Sequence, residues 1–167
     1  MKQPPYFFDH LPQETHPERL WVLDRTGEIK NRFVLDVGCG RNKTIPECFG
    51  VDIRRGTDIQ TSMDDLPFQN DTVSVIISRH SFEHALDSVA VLREWRRVLI
   101  KEGKALVVLP DHDEIPTMDP YYSSGEHLHA FTQRSFRNLV EATGLFRIEE
   151  IGVVVPEWSF GAVLRPV

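Results

Sequence analysis

The residues best suited to chemistry stand in groups that each come after an apolar run: Asp36-Val37-Gly38-Cys39-Gly40, then Asp52, then Ser62-Met63-Asp64-Asp65, then Ser78-Arg79-His80. Gly38 and Gly40 lack the Cβ that would hold the backbone away from a ligand, and they accept the left-handed dihedrals of a tight loop. Asp36 can accept from loop amides or from a ligand amine. A Gly-x-Gly after a strand is equally the mark of a tight turn, so its meaning rests on the residues downstream of it. Asp52 closes the run Phe49-Gly50-Val51. An acid there accepts from two ribose hydroxyls and requires them unphosphorylated, which favours an adenosine-type ligand over NADP.

A dinucleotide pyrophosphate needs a full helix N-terminus and a third glycine for close helix packing. Lys43 stands in that third position, and the segment Arg41–Cys48 is short and interrupted by Pro46. Asp52 also comes after Gly40 by far less than the usual interval of about 20 residues. A nicotinamide oxidoreductase is therefore disfavoured. A ligand with a ribose and an amino-acid tail, but no phosphate, needs none of the missing features.

Apolar runs predict strands at 33–37, 49–53, 57–60, 73–77 and 104–109, with two more near 146–155 and 159–165. Residues 1–14, rich in proline, read as an irregular arm, and Thr15-His16-Pro17-Glu18 resembles a capping box opening a short helix that ends at Gly27. From Ser88 to Ile100, Val91, Leu92, Trp95, Val98 and Leu99 recur at helical spacing, with Gly103 as the stop. Arg93, Arg96 and Arg97 form its solvated face. Thr132 caps a last helix through Phe136, Leu139 and Val140 that closes at Gly144. Residues 111–131, with several histidines, are long enough to be a functional, substrate-side loop. Alternating strands and helices predict an α/β fold: a mainly parallel sheet covered on both faces, a shortened first crossover, and ligands beyond the strand carboxyl ends.

With 167 residues, 41% hydrophobic and 26% charged, the chain reads as one globular domain over 1–167. A formal charge of −6 argues against a general grip on nucleic acid or anionic membrane. Cys39 and Cys48 make no disulfide framework. No apolar run approaches a membrane span of about 20 residues, and the amino terminus does not read as a signal peptide, so the expected location is the cytoplasm.

The chain resembles the class I S-adenosylmethionine-dependent methyltransferases, specifically the small type 11 group. The resemblance rests on Val34-Leu35-Asp36-Val37-Gly38-Cys39-Gly40, Gly50-Val51-Asp52-Ile53, Leu66-Pro67-Phe68, Ser78-Arg79-His80-Ser81-Phe82-Glu83-His84 and His127-Leu128-His129-Ala130-Phe131-Thr132. It implies a Rossmann-like three-layer sandwich whose seven-stranded sheet has an antiparallel last strand, and S-adenosyl-L-methionine as cofactor. Gly38, Cys39 and Gly40 would lie beside its methionine part, and Asp52 on its ribose. Asp36, Ile53, Ser62, Met63, Ser78 and Arg79 complete the expected cofactor set. Ser62 replaces an acid that often meets the adenine amino group, and Met63 would supply the neighbouring backbone contact and an apolar face. Both Ser62 and the missing helix after Gly40 depart from the family pattern.

His80-Ser81-Phe82-Glu83-His84 also matches the inverted zinc-protease pattern H-x-x-E-H. That pattern belongs on a helix with a further carboxylate downstream, whereas here it comes after a strand. Glu83 and His84 are expected to bond to the sheet edge or to line the methyl-transfer pocket. His112, Asp113, Glu126, His127 and His129 show no tight ligand spacing, so no metal is expected. Methyl transfer asks little acid–base chemistry of a protein, because the sulfonium already activates the carbon and the remaining task is in-line positioning. For an acceptor carrying a proton, His80, Asp111 and His112 are the candidate bases, and Tyr121 and Tyr122 the candidate substrate wall. The expected partner is a small-molecule methyl acceptor, with a homodimer or partner subunit completing the substrate site. The rival reading is a non-catalytic, cofactor-binding accessory subunit.

Overall fold

A computed structural model describes residues 13–118 and 127–167. The proline-rich arm, except for its last two residues, and Tyr121, Tyr122 and Glu126 lie outside the described residues.

Among the described residues seven strands form one sheet: β1 (Val34–Val37), β2 (Phe49–Asp52), β3 (Ile59–Gln60), β4 (Val73–Arg79), β5 (Leu99–Pro110), β6 (Phe146–Val155) and β7 (Ser159–Pro166), in the order β3-β2-β1-β4-β5-β7-β6. The first five pair in parallel, and β7 runs antiparallel to both neighbours. The cause is local. Only the short turn Pro156–Trp158 separates β6 from β7, and a turn that short can join antiparallel strands only. The hairpin thus inserts β7 between β5 and β6, as the Rossmann-like reading expects.

Among the described residues three α-helices cover the sheet: α1 (Pro17–Thr26), α2 (Ser88–Val98) and α3 (Gln133–Thr143). The Asp87 carboxylate caps α2 by accepting from the Val89 and Ala90 amides. Thr132 caps α3 by accepting from the Ser135 amide, and Gly144 closes it at φ 64°. In α1 the N-cap is His16 rather than Thr15: its ring accepts from the Glu18 amide at 3.3 Å, while Pro17 starts the helix without needing a donor partner.

Helix α2 ends sooner than its apolar spacing suggests, and β5 begins at Leu99 rather than Lys104. Leu99 pairs with Val73, and the register then shifts before Val75 pairs with Lys104. Gly103 lies inside that irregularity, where a Cβ would come within 2.8 Å of the Ile100 carbonyl oxygen. It marks a bend within a strand, not a helix stop.

One face of the sheet packs Leu35, Ile76 and Val107 against Leu92 and Trp95 of α2 and Phe136 and Val140 of α3. The other packs Val34, Val75, Ile77 and Val108 against Val22 of α1. No helix comes after β1. Instead Ile45 and Cys48, each 3% exposed, plug the second face from the β1–β2 connection. Thus α1 and this loop stand where a full first crossover helix would pack. Among the described residues no helix is long and apolar enough to cross a membrane.

Candidate functional site

A cavity of about 620 Å³ opens beyond the carboxyl ends of β1, β2 and β4, within the range of about 300–1,000 Å³ of small-molecule sites. Gly38, Cys39 and Gly40 form one wall, Asp52 and Ile53 a second, Ser62 and Met63 a third, and His80 and His84 a fourth. The glycine loop turns back onto β2, with the Gly38 amide donating to the Val51 carbonyl at 2.7 Å. Gly38 and Gly40 both have positive φ, 73° and 58°.

Asp52 ties the loop to the end of β2. Its Oδ2 accepts from the Gly40 amide at 2.8 Å and its Oδ1 from the Arg54 amide at 2.9 Å. Each carboxylate oxygen has two lone pairs, so capacity remains on both for the paired hydroxyls of a ribose. A Cβ on Gly40 would meet nothing closer than Arg54 Nη1 at 3.9 Å, so the space beside the loop is open. Acceptor carboxylate, open backbone and volume together fit an adenosine cofactor with an amino-acid tail.

Gly38 has a different role. A Cβ there would lie 2.2 Å from Ser81 Cβ, so Gly38 lets the loop pack directly on the turn after β4. Gly38→Ala is expected to cost about 2 kcal/mol, from backbone strain at positive φ plus the clash. A denaturant melt reads this directly, and Gly38→Ala in a Ser81→Gly background should recover the clash but not the strain.

Three residues of the expected cofactor set do not line the cavity. Asp36, 1% exposed, accepts from the Thr44 amide at 2.5 Å and so anchors the far end of the loop. Burial raises its carboxyl pKa, against the lowering effect of that amide and of Arg79. Ser78 is buried in a hydroxyl relay, Ser78 to Ser81 at 2.7 Å and Ser81 to the Val37 carbonyl at 2.8 Å. Arg79 also lies off the cavity wall. Asp36 and Ser78 are spent on bonds within the chain, and none of the three lines the ligand space.

The candidate bases are arranged differently from expectation. Asp111 is buried, with Oδ1 accepting from the Asp113 amide and Oδ2 from the Gln133 side chain, and His112 bonds through Nδ1 to Thr117. Neither lines the cavity. His80 does, in left-handed backbone at φ 49°, but its Nε2 bonds to Glu18 Oε1 at 2.9 Å. Burial works against a charged His80, yet Glu18 and then Glu83 outweigh it and push its pKa up to about 10. Burial would likewise raise Glu18, but the His80 charge and hydrogen bond hold it down at about 2. His80 is thus an imidazolium at neutral pH, which corrects its reading as a base. Burial, then Asp36 and Asp52, push the Cys39 thiol up to about 11, so it stays protonated.

Arg54, Thr61, Leu86 and Val91 also line the cavity, although their sequence context does not mark them as site residues, and Asp64 joins them. Asp64 had a readable signal. It stands two residues after Ser62, and the Ser62 hydroxyl donates to its Oδ1, placing a carboxylate beside the position where the family often has an acid.

Sheet order and cavity position define a Rossmann-like fold of the methyltransferase class. A family profile described as a methyltransferase domain matches residues 16–150, and the chain belongs to that family. An uncharacterized methyltransferase of Bacillus subtilis, YcgJ, is 28% identical over 168 residues, covering 85% of this chain and 66% of its own length. The chain therefore spans about two thirds of that relative. A SAM-dependent methyltransferase from Aquifex aeolicus superposes with a TM-score of 0.73 at 17% identity, covering 98% of this chain and 94% of its own. A Burkholderia thailandensis 1,6-didemethyltoxoflavin-N1-methyltransferase, with its substrate and S-adenosylhomocysteine bound, gives 0.69 at 14% identity, covering 90% and 77%.

Proposed function

We propose that the chain binds S-adenosyl-L-methionine in the β1–β2–β4 cavity and transfers its methyl group to a small-molecule acceptor. The observation that carries this reading is Asp52, whose two oxygens are oriented by the Gly40 and Arg54 amides at the mouth of an open glycine loop. When bound, the cofactor supplies a methyl carbon already activated by the sulfonium. The chain's own residues then hold and orient. Asp52 accepts from the ribose hydroxyls, Gly38 to Gly40 admit the amino-acid tail, and Ile53 and Met63 flank the base beside Ser62 and Asp64. The imidazolium of His80, neutralised and fixed by Glu18, forms a rigid polar wall of the cavity.

Leu86, 90% exposed, and Ile53, 71% exposed, both stand on the cavity rim. A large acceptor, a second copy or a partner subunit would cover them, completing the substrate wall. The test is turnover: release of S-adenosylhomocysteine in the presence of small phenolic, carboxylate and amine acceptors. Acceptor-dependent release supports the enzyme reading. Tight cofactor binding with no release across the panel supports the accessory-subunit reading instead.

A further inference from the structure

We propose that Glu83, His84 and His127 form a binding site for a divalent transition-metal ion, with zinc the best match. Their candidate ligand atoms all lie within 4.8 Å of one another. Glu83 Oε1 is 4.0 Å from His84 Nε2 and 3.9 Å from His127 Nε2. Ligands of a tetrahedral zinc, with bonds of about 2.1 Å, stand about 3.4 Å apart. Closing these two gaps takes about half an ångström in each.

The Glu83 carboxylate is 2% exposed, and neither of its oxygens receives a hydrogen bond among the described residues. The nearby cation is the His80 imidazolium, whose Nδ1 comes only to 3.7 Å and whose Nε2 is held by Glu18, so one positive charge is shared by two buried carboxylates and a second cation is favoured. His127 supplies the second observation. Its Nδ1 lies 2.8 Å from the Thr117 carbonyl oxygen, which can only accept, so Nδ1 carries the proton. Nε2 is thereby left facing a carboxylate oxygen at 3.9 Å, an approach that a cation between the two, a metal ion or a proton, makes favourable. A ring N–H fixed on a backbone carbonyl is also the usual outer partner of a metal-bound histidine.

The backbone holds the cluster together. The Leu128 and His129 amides both donate to the Glu83 carbonyl, at 3.0 and 3.1 Å, which fastens the segment after His127 to the 3-10 turn Phe82–His84. Two imidazoles and one carboxylate suit zinc, whereas magnesium and calcium prefer all-oxygen sites. Because His84 also lines the cavity, coordination positions left open by the protein would face the ligand space. The proposal does not depend on the cofactor reading.

The test is calorimetric titration of chelator-treated protein with zinc, alongside the absorption spectrum of the cobalt(II) form. One zinc per chain with a micromolar or tighter Kd is expected, with no uptake of magnesium at the same concentration. His84→Ala and His127→Ala should each weaken zinc by at least about tenfold and alter the cobalt spectrum, while Glu141→Ala, on the exposed side of α3, leaves both unchanged. Both cluster histidines are partly exposed, so these variants should fold, which thermal melts confirm. Absence of stoichiometric zinc uptake, or an affinity indifferent to both substitutions, would overturn the site. Binding of S-adenosylhomocysteine to the same metal-free protein reports on the cofactor separately.

Discussion

Asp52→Ala is expected to weaken S-adenosylhomocysteine binding about 100-fold, or about 2.8 kcal/mol at 1.4 kcal/mol per tenfold. Hydrogen bonds to a charged group contribute about 1.5–3 kcal/mol each, and this carboxylate would make them to the ribose while also holding the Gly40 and Arg54 amides. The substitution removes both functions. Asp52→Asn keeps an acceptor without the charge and should lose only about tenfold. Calorimetry on the three proteins gives the ranking, and equal affinities would remove Asp52 from the site. The melting temperature should change little, because the amides released at this half-open edge can bond to water.

Glu18→Ala is expected to cost about 3 kcal/mol of stability, because it leaves His80 without its partner in a largely buried setting. For a domain of this size that corresponds to a melting point about 6–12 °C lower. Glu18→Gln, which still accepts from the ring, should lose less. The same pair sets a pH window in the chelator-treated protein. The Glu18 carboxyl falls from its ordinary 4.5 to about 2, so its contribution is present above 4.5 and is lost as pH drops toward 2. The His80 pKa rises from 6.5 to about 10, so its contribution is present below 6.5 and is lost as pH climbs toward 10. Wild-type stability should therefore plateau between these limits and fall on either side. In Glu18→Ala both slopes should shrink, and unchanged slopes would contradict the pairing.

The strands and the glycine loop were legible because apolar runs ending in Gly-x-Gly or Asp have few other ways to fold. Asp36 shows where that reasoning stops. Its type permitted a loop contact or a ligand contact, and only the fold shows it spent on the Thr44 amide. Gly103 misled for a physical reason: a glycine after an amphipathic run usually closes a helix, but strand pairing with Val73 claimed Leu99 first. Contacts distant in sequence left no trace. Nothing in Thr15-His16-Pro17-Glu18 says that its acid reaches His80, 62 residues away. The Glu83 cluster was hidden in the same way. Its ligands come from two segments that each look incomplete, and the Glu83 carbonyl joins them only in the folded chain.

The central claim is that the glycine loop and Asp52 hold an S-adenosyl cofactor and not a dinucleotide. Calorimetry of the full chain with S-adenosylmethionine, S-adenosylhomocysteine and NAD tests it most directly. The account predicts one site per chain for both S-adenosyl ligands, weakened by Asp52→Ala, and no heat from NAD. Binding of NAD with neither S-adenosyl compound taken up would contradict it.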